Sequence, residues 1–227
     1  MYRFRVTEKT HQVRPALSRE RVLRAACEIA DAEGIAALSM RRIGRAVGVE
    51  AMSLYTHIAS KEDLLNGLTE MVAAEVQLPA EWYDWRAAVF AVAMETNAAL
   101  RRHPWAGQLW ATRTQLGPKR AAIMNGLLRG LGMAGMPPRL VHRAFHVLEN
   151  HIIGYALRAS SFPLSAAELP GAADRVLTEF RPEAFPELAQ HIREHQNPEF
   201  TAAQGDSEFR FGLDLILAGL AAHHPAG

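Results

Sequence analysis

Apolar residues recur every three or four positions along most of this 227-residue chain, and no segment alternates as a half-buried strand would. The first such run carries Val22, Ala26, Ile29 and Ala30, opens at Ser18 with Glu20 in its first turn, and stops at Gly34. The second, capped by Ser39, carries Ile43, Ala46 and Val47 and breaks at Gly48. Leu54 and Ile58 then repeat at four, which predicts a third helix over roughly 50–57. Ser60 with Asp63 three residues on opens a fourth, continued by Leu64, Leu65, Leu68, Met71, Val72 and Val76 and stopped by Pro79.

Beyond Pro79 the strong patterns stay helical. They predict helices over 85–100, ended by His103-Pro104, and over 105–113. Another runs from Gly117-Pro118 through Ile123, Leu127, Leu128 and Leu131 to Gly132. A long one starts at Pro137-Pro138, with Leu140, Val141, Ala144, Phe145, Leu148, Ile152 and Tyr155 on its apolar side. Five prolines between 160 and 207 predict a loop-rich excursion with one short helix near 185–195, followed by a final helix over 209–222. The expected fold is all-α, divided into an arm (1–17), a small N-terminal domain (18–64) and a larger helical domain (65–227).

The final helix is apolar nearly all round, which predicts burial on two sides. Pairing with a symmetry mate through Phe145, Leu148, Ile152, Leu213, Leu217 and Leu220 satisfies that requirement. A deep monomer core is the open alternative.

Charge sharpens the division. Residues 1–62 hold 11 basic against 7 acidic side chains, whereas the remainder holds 14 against 17, so a basic N-terminal third joins a mildly acidic body. Residues 1–17 carry Arg3, Arg5, Lys9 and Arg14 and read as a tail or a basic arm. The single cysteine, Cys27, lies in an apolar helical setting and reads as an inert buried thiol. Without a leader-like apolar run or about 18 uninterrupted apolar residues, the expectation is a cytoplasmic protein without a membrane anchor.

Two short helices broken by Gly48 form a helix-turn-helix whose non-core positions are rich in hydrogen-bond donors. The second helix of such a motif enters the major groove, where each base pair displays a distinct pattern. Glu50 can accept from a cytosine amino group, Ala51 and Met52 can touch a thymine methyl, and Arg41 can reach a guanine with two hydrogen bonds. Arg42 is placed for a base or a phosphate, and Tyr55, Thr56, His57 and Lys61 for the phosphate backbone. One module covers few base pairs, so a two-fold dimer reading a palindromic double-stranded DNA operator follows.

The stretch from Leu38 to Leu65, with its Leu54-Tyr55-x-His57 core and Lys61 four residues after the histidine, resembles the TetR family of transcriptional repressors. The C-terminal Phe209-Arg-Phe-Gly-Leu-Asp-Leu-Ile-Leu-Ala-Gly-Leu is similar to the last helix of members with a tetracycline-repressor-type ligand domain. The resemblance implies an all-helical homodimer whose ligand pocket, when filled, shifts the recognition helices and releases the operator. It assigns base reading to Arg41, phosphate contacts to Tyr55 and His57, and the phosphate-binding lysine to Lys61. Ala51, Met52 and Thr56 occupy variable positions, so operator sequence is not implied.

All four tryptophans, Trp82, Trp85, Trp105 and Trp110, fall within 30 residues of one another, with Phe90, Met94 and His103 nearby. With the polar Asn97, Gln108 and Asn150 they are the candidate pocket for a small, largely apolar or aromatic effector; core packing is the rival reading for each. His142, His146 and Glu149 share a helical face, but three residues on one helix fix no tetrahedron, so no metal or other cofactor is expected. No phosphate loop, nucleophile elbow or Cys-His signature appears, which sets the enzyme classes aside. Activation instead of repression, or a helical interaction protein with a vestigial helix-turn-helix, are the alternatives.

Overall fold

A computed structural model describes residues 16–161, 167–179, 181–194, 196–197 and 206–223. The expected basic arm lies almost entirely outside these residues. Among them there is no strand. Eleven α-helices follow in order: α1 (Arg19–Glu33), α2 (Met40–Val47), α3 (Ala51–Leu54), α4 (Lys61–Ala74), α5 (Trp85–Arg102), α6 (Ala106–Thr112), α7 (Pro118–Met133), α8 (Pro138–Ser161), α9 (Leu169–Glu179), α10 (Pro186–Glu194) and α11 (Asp206–His223). No helix among the described residues is long and apolar enough to cross a membrane.

The starts follow from side-chain capping. Ser18, Ser39 and Ser60 each accept a hydrogen bond from the amide three residues on, and Asp84 does the same for α5. Gly48 ends α2 in the left-handed region at φ 76°, a conformation that side-chain-bearing residues rarely adopt and that turns the chain sharply into α3.

Helices α1, α2 and α3 pack around Val22, Ala26, Ile43, Val47, Leu54 and Ile58, and α4 closes this small core with Leu64 and Leu68. Helix α4 also packs on α5, α6 and α7, so the expected domain boundary at 64/65 falls within one continuous helix. The larger core lies among α5, α7, α8 and α11.

Three expectations are corrected. The third helix ends at Leu54, and Tyr55 to His57 form turns, because the chain must bend to reach the Ser60 cap. The proline-rich stretch holds a second helix, α9, in addition to the one near 185–195; Pro170 is tolerated in its first turn, where a missing amide hydrogen costs no helical bond. Helix α7 passes through Gly132 to Met133, and the left-handed residue beyond it is Gly135 at φ 78°.

The residues assigned to pairing lie in the core of the single chain. Phe145, Leu148, Ile152, Leu213, Leu217 and Leu220 are all buried within a single chain, on the face by which α11 packs on α8 and α5. A partner would find almost none of their surface left to cover. The apolar side chains left exposed on the two helices are Val147, Phe211 and Leu215, with Phe211 66% and Leu215 58% exposed.

Candidate nucleic-acid interface and effector cavity

Arg41, Glu50, Met52, Tyr55, Thr56 and Lys61 are exposed, and Ala51 and His57 half-buried, along one segment from α2 to the start of α4. The apolar side of that segment, Ile43, Val47, Leu54 and Ile58, is buried, so periodicity turns the donors outward together. Thr56 Oγ1 donates to the Ser53 carbonyl at 2.7 Å, which ties down the turn after α3. The half-buried Arg42 pairs its guanidinium with Glu33 at the end of α1 and braces α2.

A residue that sequence reading missed fixes this segment against α1. Arg19 donates to the His57 carbonyl at 2.9 Å and bidentately to Asp63 at 2.8 and 2.6 Å, while Asp63 Oδ2 also accepts from the Ala59 amide at 2.9 Å. The partners lie about 40 residues apart in sequence, and no local pattern signals the pairing. The Arg19 hydrogen bonds hold the Asp63 carboxyl below its ordinary range; burial opposes this, and the Ala59 amide adds to it. Because the folded pKa is depressed, the stabilisation is fully present above the unfolded value of about 3.9 and is lost as pH falls through the folded value. Asp63→Asn is therefore expected to cost about 1–2 kcal/mol near pH 7, with the difference from the parent shrinking below about pH 4 in urea melts.

In the larger core, a small cavity of about 30 Å³ is lined by Thr96, Trp110, Arg120, Ile123, Met124, Leu127, Phe145, Glu149, Ile152 and Ile153. Of the ten expected pocket residues, the structure places only Trp110 in its wall. Phe145 and Ile152, assigned to a dimer contact, line it instead. Arg120, missed by sequence reading, donates to the Trp110 carbonyl at 2.7 Å and stacks its guanidinium over the Trp110 ring at 5.5 Å. Burial lowers its pKa from the ordinary arginine value. The Trp110 indole nitrogen has no hydrogen-bond partner among the described residues, so the wall offers a donor beside a cation, the Glu149 carboxylate and the Thr96 hydroxyl.

The remaining pocket candidates lie away from this cavity: α5 turns Trp85, Phe90, Met94 and Asn97 onto other faces, and the rest sit on other segments. Trp82 is buried with its ring over Gly126 and Gly130 of α7. Phe90 lies under the Arg210 guanidinium at 5.1 Å, facing α11. Trp85 and Met94 are half-buried, Gln108 and Asn150 exposed, and Asn97 fully buried with neither amide atom hydrogen-bonded among the described residues. His142 and His146 stack edge to face at 4.6 Å, and His146 lies 3.6 Å from Glu149.

His103 and Trp105 belong to a seam between α1 and the larger core. Trp105 Nε1 donates to Asp31 at 2.6 Å, and the His103 ring lies 2.8 Å from Asp31 on one side and 2.8 Å from Glu75 on the other. Cys27 is buried here, its thiol pushed up to about 12 by burial and then by Asp31. Burial pushes the Glu75 carboxyl up, but hydrogen bonds from Arg102 and His103 outweigh it and hold the group below its usual range.

Comparison with known proteins matches this geometry. Residues 22–68 match the family described as "Bacterial regulatory proteins, tetR family", and residues 78–224 match "Tetracyclin repressor-like, C-terminal domain". The chain is 34% identical over 215 residues to the HTH-type transcriptional repressor DrrR1 of Streptomyces coeruleorubidus, covering 91% of this chain and 78% of that protein. It is 30% identical to an HTH-type transcriptional regulator of Saccharopolyspora erythraea, covering 95% of this chain and 89% of that one. The crystal structure of the Streptomyces coelicolor TetR family protein ActR in complex with actinorhodin superposes with a TM-score of 0.76 at 26% identity, covering 93% of this chain and 98% of that one. With a helix-turn-helix module at one end and a repressor-type helical domain at the other, this chain belongs to the TetR family of DNA-binding transcription regulators and is not an enzyme.

Proposed function

We propose that the protein is a ligand-responsive repressor that binds a palindromic operator as a homodimer and is released by a small, largely apolar or aromatic effector. The observation that carries this reading is the outward row Arg41, Glu50, Met52, Tyr55 and Lys61 on a module whose fourth helix packs directly against cavity-lining α7. Arg41 and the start of α3 (Glu50, Ala51, Met52) read bases, and Tyr55, Thr56, His57 and Lys61 clamp phosphates. Arg42 contributes less, being held by Glu33.

The cavity is the effector site. At about 30 Å³ its free volume is only a small fraction of the roughly 300–1,000 Å³ of a ligand pocket, so any effector must push α7 and α8 apart, and α4 transmits that displacement to the reading segment. Its wall is apolar save for Arg120, Glu149, Thr96 and the Trp110 indole, which suits an aromatic body with a few oxygen substituents. The chains pair through the exposed face carrying Val147, Phe211 and Leu215. Gly154 and Gly219, each with open space beside its Cα, allow close approach there.

Fluorescence anisotropy with DNA fragments selected from the genome tests the reading. Arg41→Ala should cost about 1–3 kcal/mol and relax discrimination at one base pair in each half-site. Lys61→Ala should weaken all sequences alike and flatten the salt dependence by about one counterion. Sequence preference unchanged in Arg41→Ala would remove its base-reading role.

A further inference from the structure

We propose that the seam between α1 and the end of α5 is a binding site for a divalent, borderline-soft metal ion of the zinc class, with Cys27 Sγ, Asp31 Oδ2 and His103 Nδ1 as its protein ligands. Among the described residues this is the one group of three such side chains whose donor atoms lie within 4.8 Å of one another. Cys27 and Asp31 stand four apart on one face of α1, and His103 caps α5.

The separations fit a tetrahedral ion. Sγ lies 3.7 Å from Nδ1 and 3.6 Å from Oδ2. With Zn–S near 2.3 Å and Zn–N or Zn–O near 2.0 Å, tetrahedral geometry puts sulfur about 3.5 Å from its neighbouring ligands. The Nδ1 to Oδ1 contact, 2.8 Å, is a hydrogen bond that the ion would replace, with a small rotation of the Asp31 carboxylate bringing Oδ2 round.

The supporting partners point the same way. His103 Nε2 lies 2.8 Å from Glu75 Oε1, and Arg102 holds that carboxylate in turn. With Nε2 donating to Glu75, loss of the Nδ1 proton that Asp31 now accepts would present the Nδ1 lone pair to the ion, the carboxylate–histidine–metal arrangement that orients ligating histidines. Trp105 Nε1 donates to Asp31 Oδ1 and leaves Oδ2 for the ion. One thiolate, one imidazole and a single carboxylate exclude calcium and magnesium, which require several oxygen ligands. The Asp31 side chain is one-third exposed, so a water can enter and fill the fourth position. On binding, the Cys27 thiol proton and the proton between His103 Nδ1 and Asp31 both leave to solvent.

None of these residues lines the effector cavity, so the ion needs no effector to bind. It would join α1 of the reading module to α5 of the C-terminal domain. Resting on the repressor reading, its consequence is a fixed orientation of that module.

Metal-stripped full-length protein titrated with cobalt(II) tests the site. The expected result is a thiolate-to-cobalt charge-transfer band that saturates at one ion per chain and is abolished by zinc. Cys27→Ser should lose the band, and Glu75→Gln should keep it with affinity weakened about 10- to 100-fold. Zinc should raise the melting temperature of the parent but not of Cys27→Ser, which also shows that each variant folds. The proposal is overturned if the parent shows no band, as it would if His103 simply bridged Asp31 and Glu75 as a proton-only link, or if zinc raises the melting temperature of Cys27→Ser as much as that of the parent. No DNA is needed, so failure here is separable from failure of the operator reading.

Discussion

Leu217→Glu is expected to unfold the C-terminal domain rather than to separate two folded subunits. Leu217 is 1% exposed in a single chain and shares its stripe on α11 with Phe209, Leu213 and Leu220. A carboxylate buried among these apolar side chains cannot reach water, which costs about 3–5 kcal/mol. Two residues away, Leu215 projects from the opposite side and is more than half exposed. Leu215→Glu should leave each subunit folded, with unchanged helical circular dichroism, and give monomers in size-exclusion chromatography with light scattering. Operator affinity should then fall on the order of 100-fold or more, because each reading head binds without the advantage of its tethered twin. Folded monomers from Leu217→Glu, or an intact dimer from Leu215→Glu, would mean that the two faces are assigned the wrong way round.

The second large effect concerns Trp82, which lies between α4 and α5 and presses its ring onto Gly126 and Gly130, one turn apart on α7. Trp82→Ala should cost about 3–5 kcal/mol in urea unfolding, since the vacated volume is too large for the helices to close. Gly130→Ala tests the same contact from the other side. The added Cβ would lie 2.9 Å from the Trp82 ring and 2.7 Å from Val89 Cγ2, so the expected loss is about 1–3 kcal/mol despite alanine's better helix propensity. The double variant should lose less than the sum of the two, because removing the ring relieves part of the clash. Strict additivity would show that the two residues do not share this contact.

The reading module was legible because its information is local. Ser18, Ser39 and Ser60 announce helix starts within three residues, Gly48 announces the turn, and the outward direction of Arg41, Tyr55 and Lys61 follows from their apolar neighbours one turn away. The cavity was not legible for the opposite reason. Its wall combines α5, α6, α7 and α8, and the residues that meet there are separated by up to 57 positions, from Thr96 to Ile153. A cluster of tryptophans in the sequence therefore dispersed into a packing wedge, a seam partner and a single pocket wall.

Periodicity and capping chemistry determined by themselves that the chain is all-helical, where nearly every long helix begins, and which side chains of the helix-turn-helix face outward. The tertiary structure alone decided which face of α8 and α11 is spent within the subunit, which residues enclose the cavity, and how Arg19 and Asp63 lock the reading segment to α1. An apolar stripe reports only that a face must be buried. What buries it depends on which helices the whole chain brings together, and that is fixed by contacts between residues far apart in sequence.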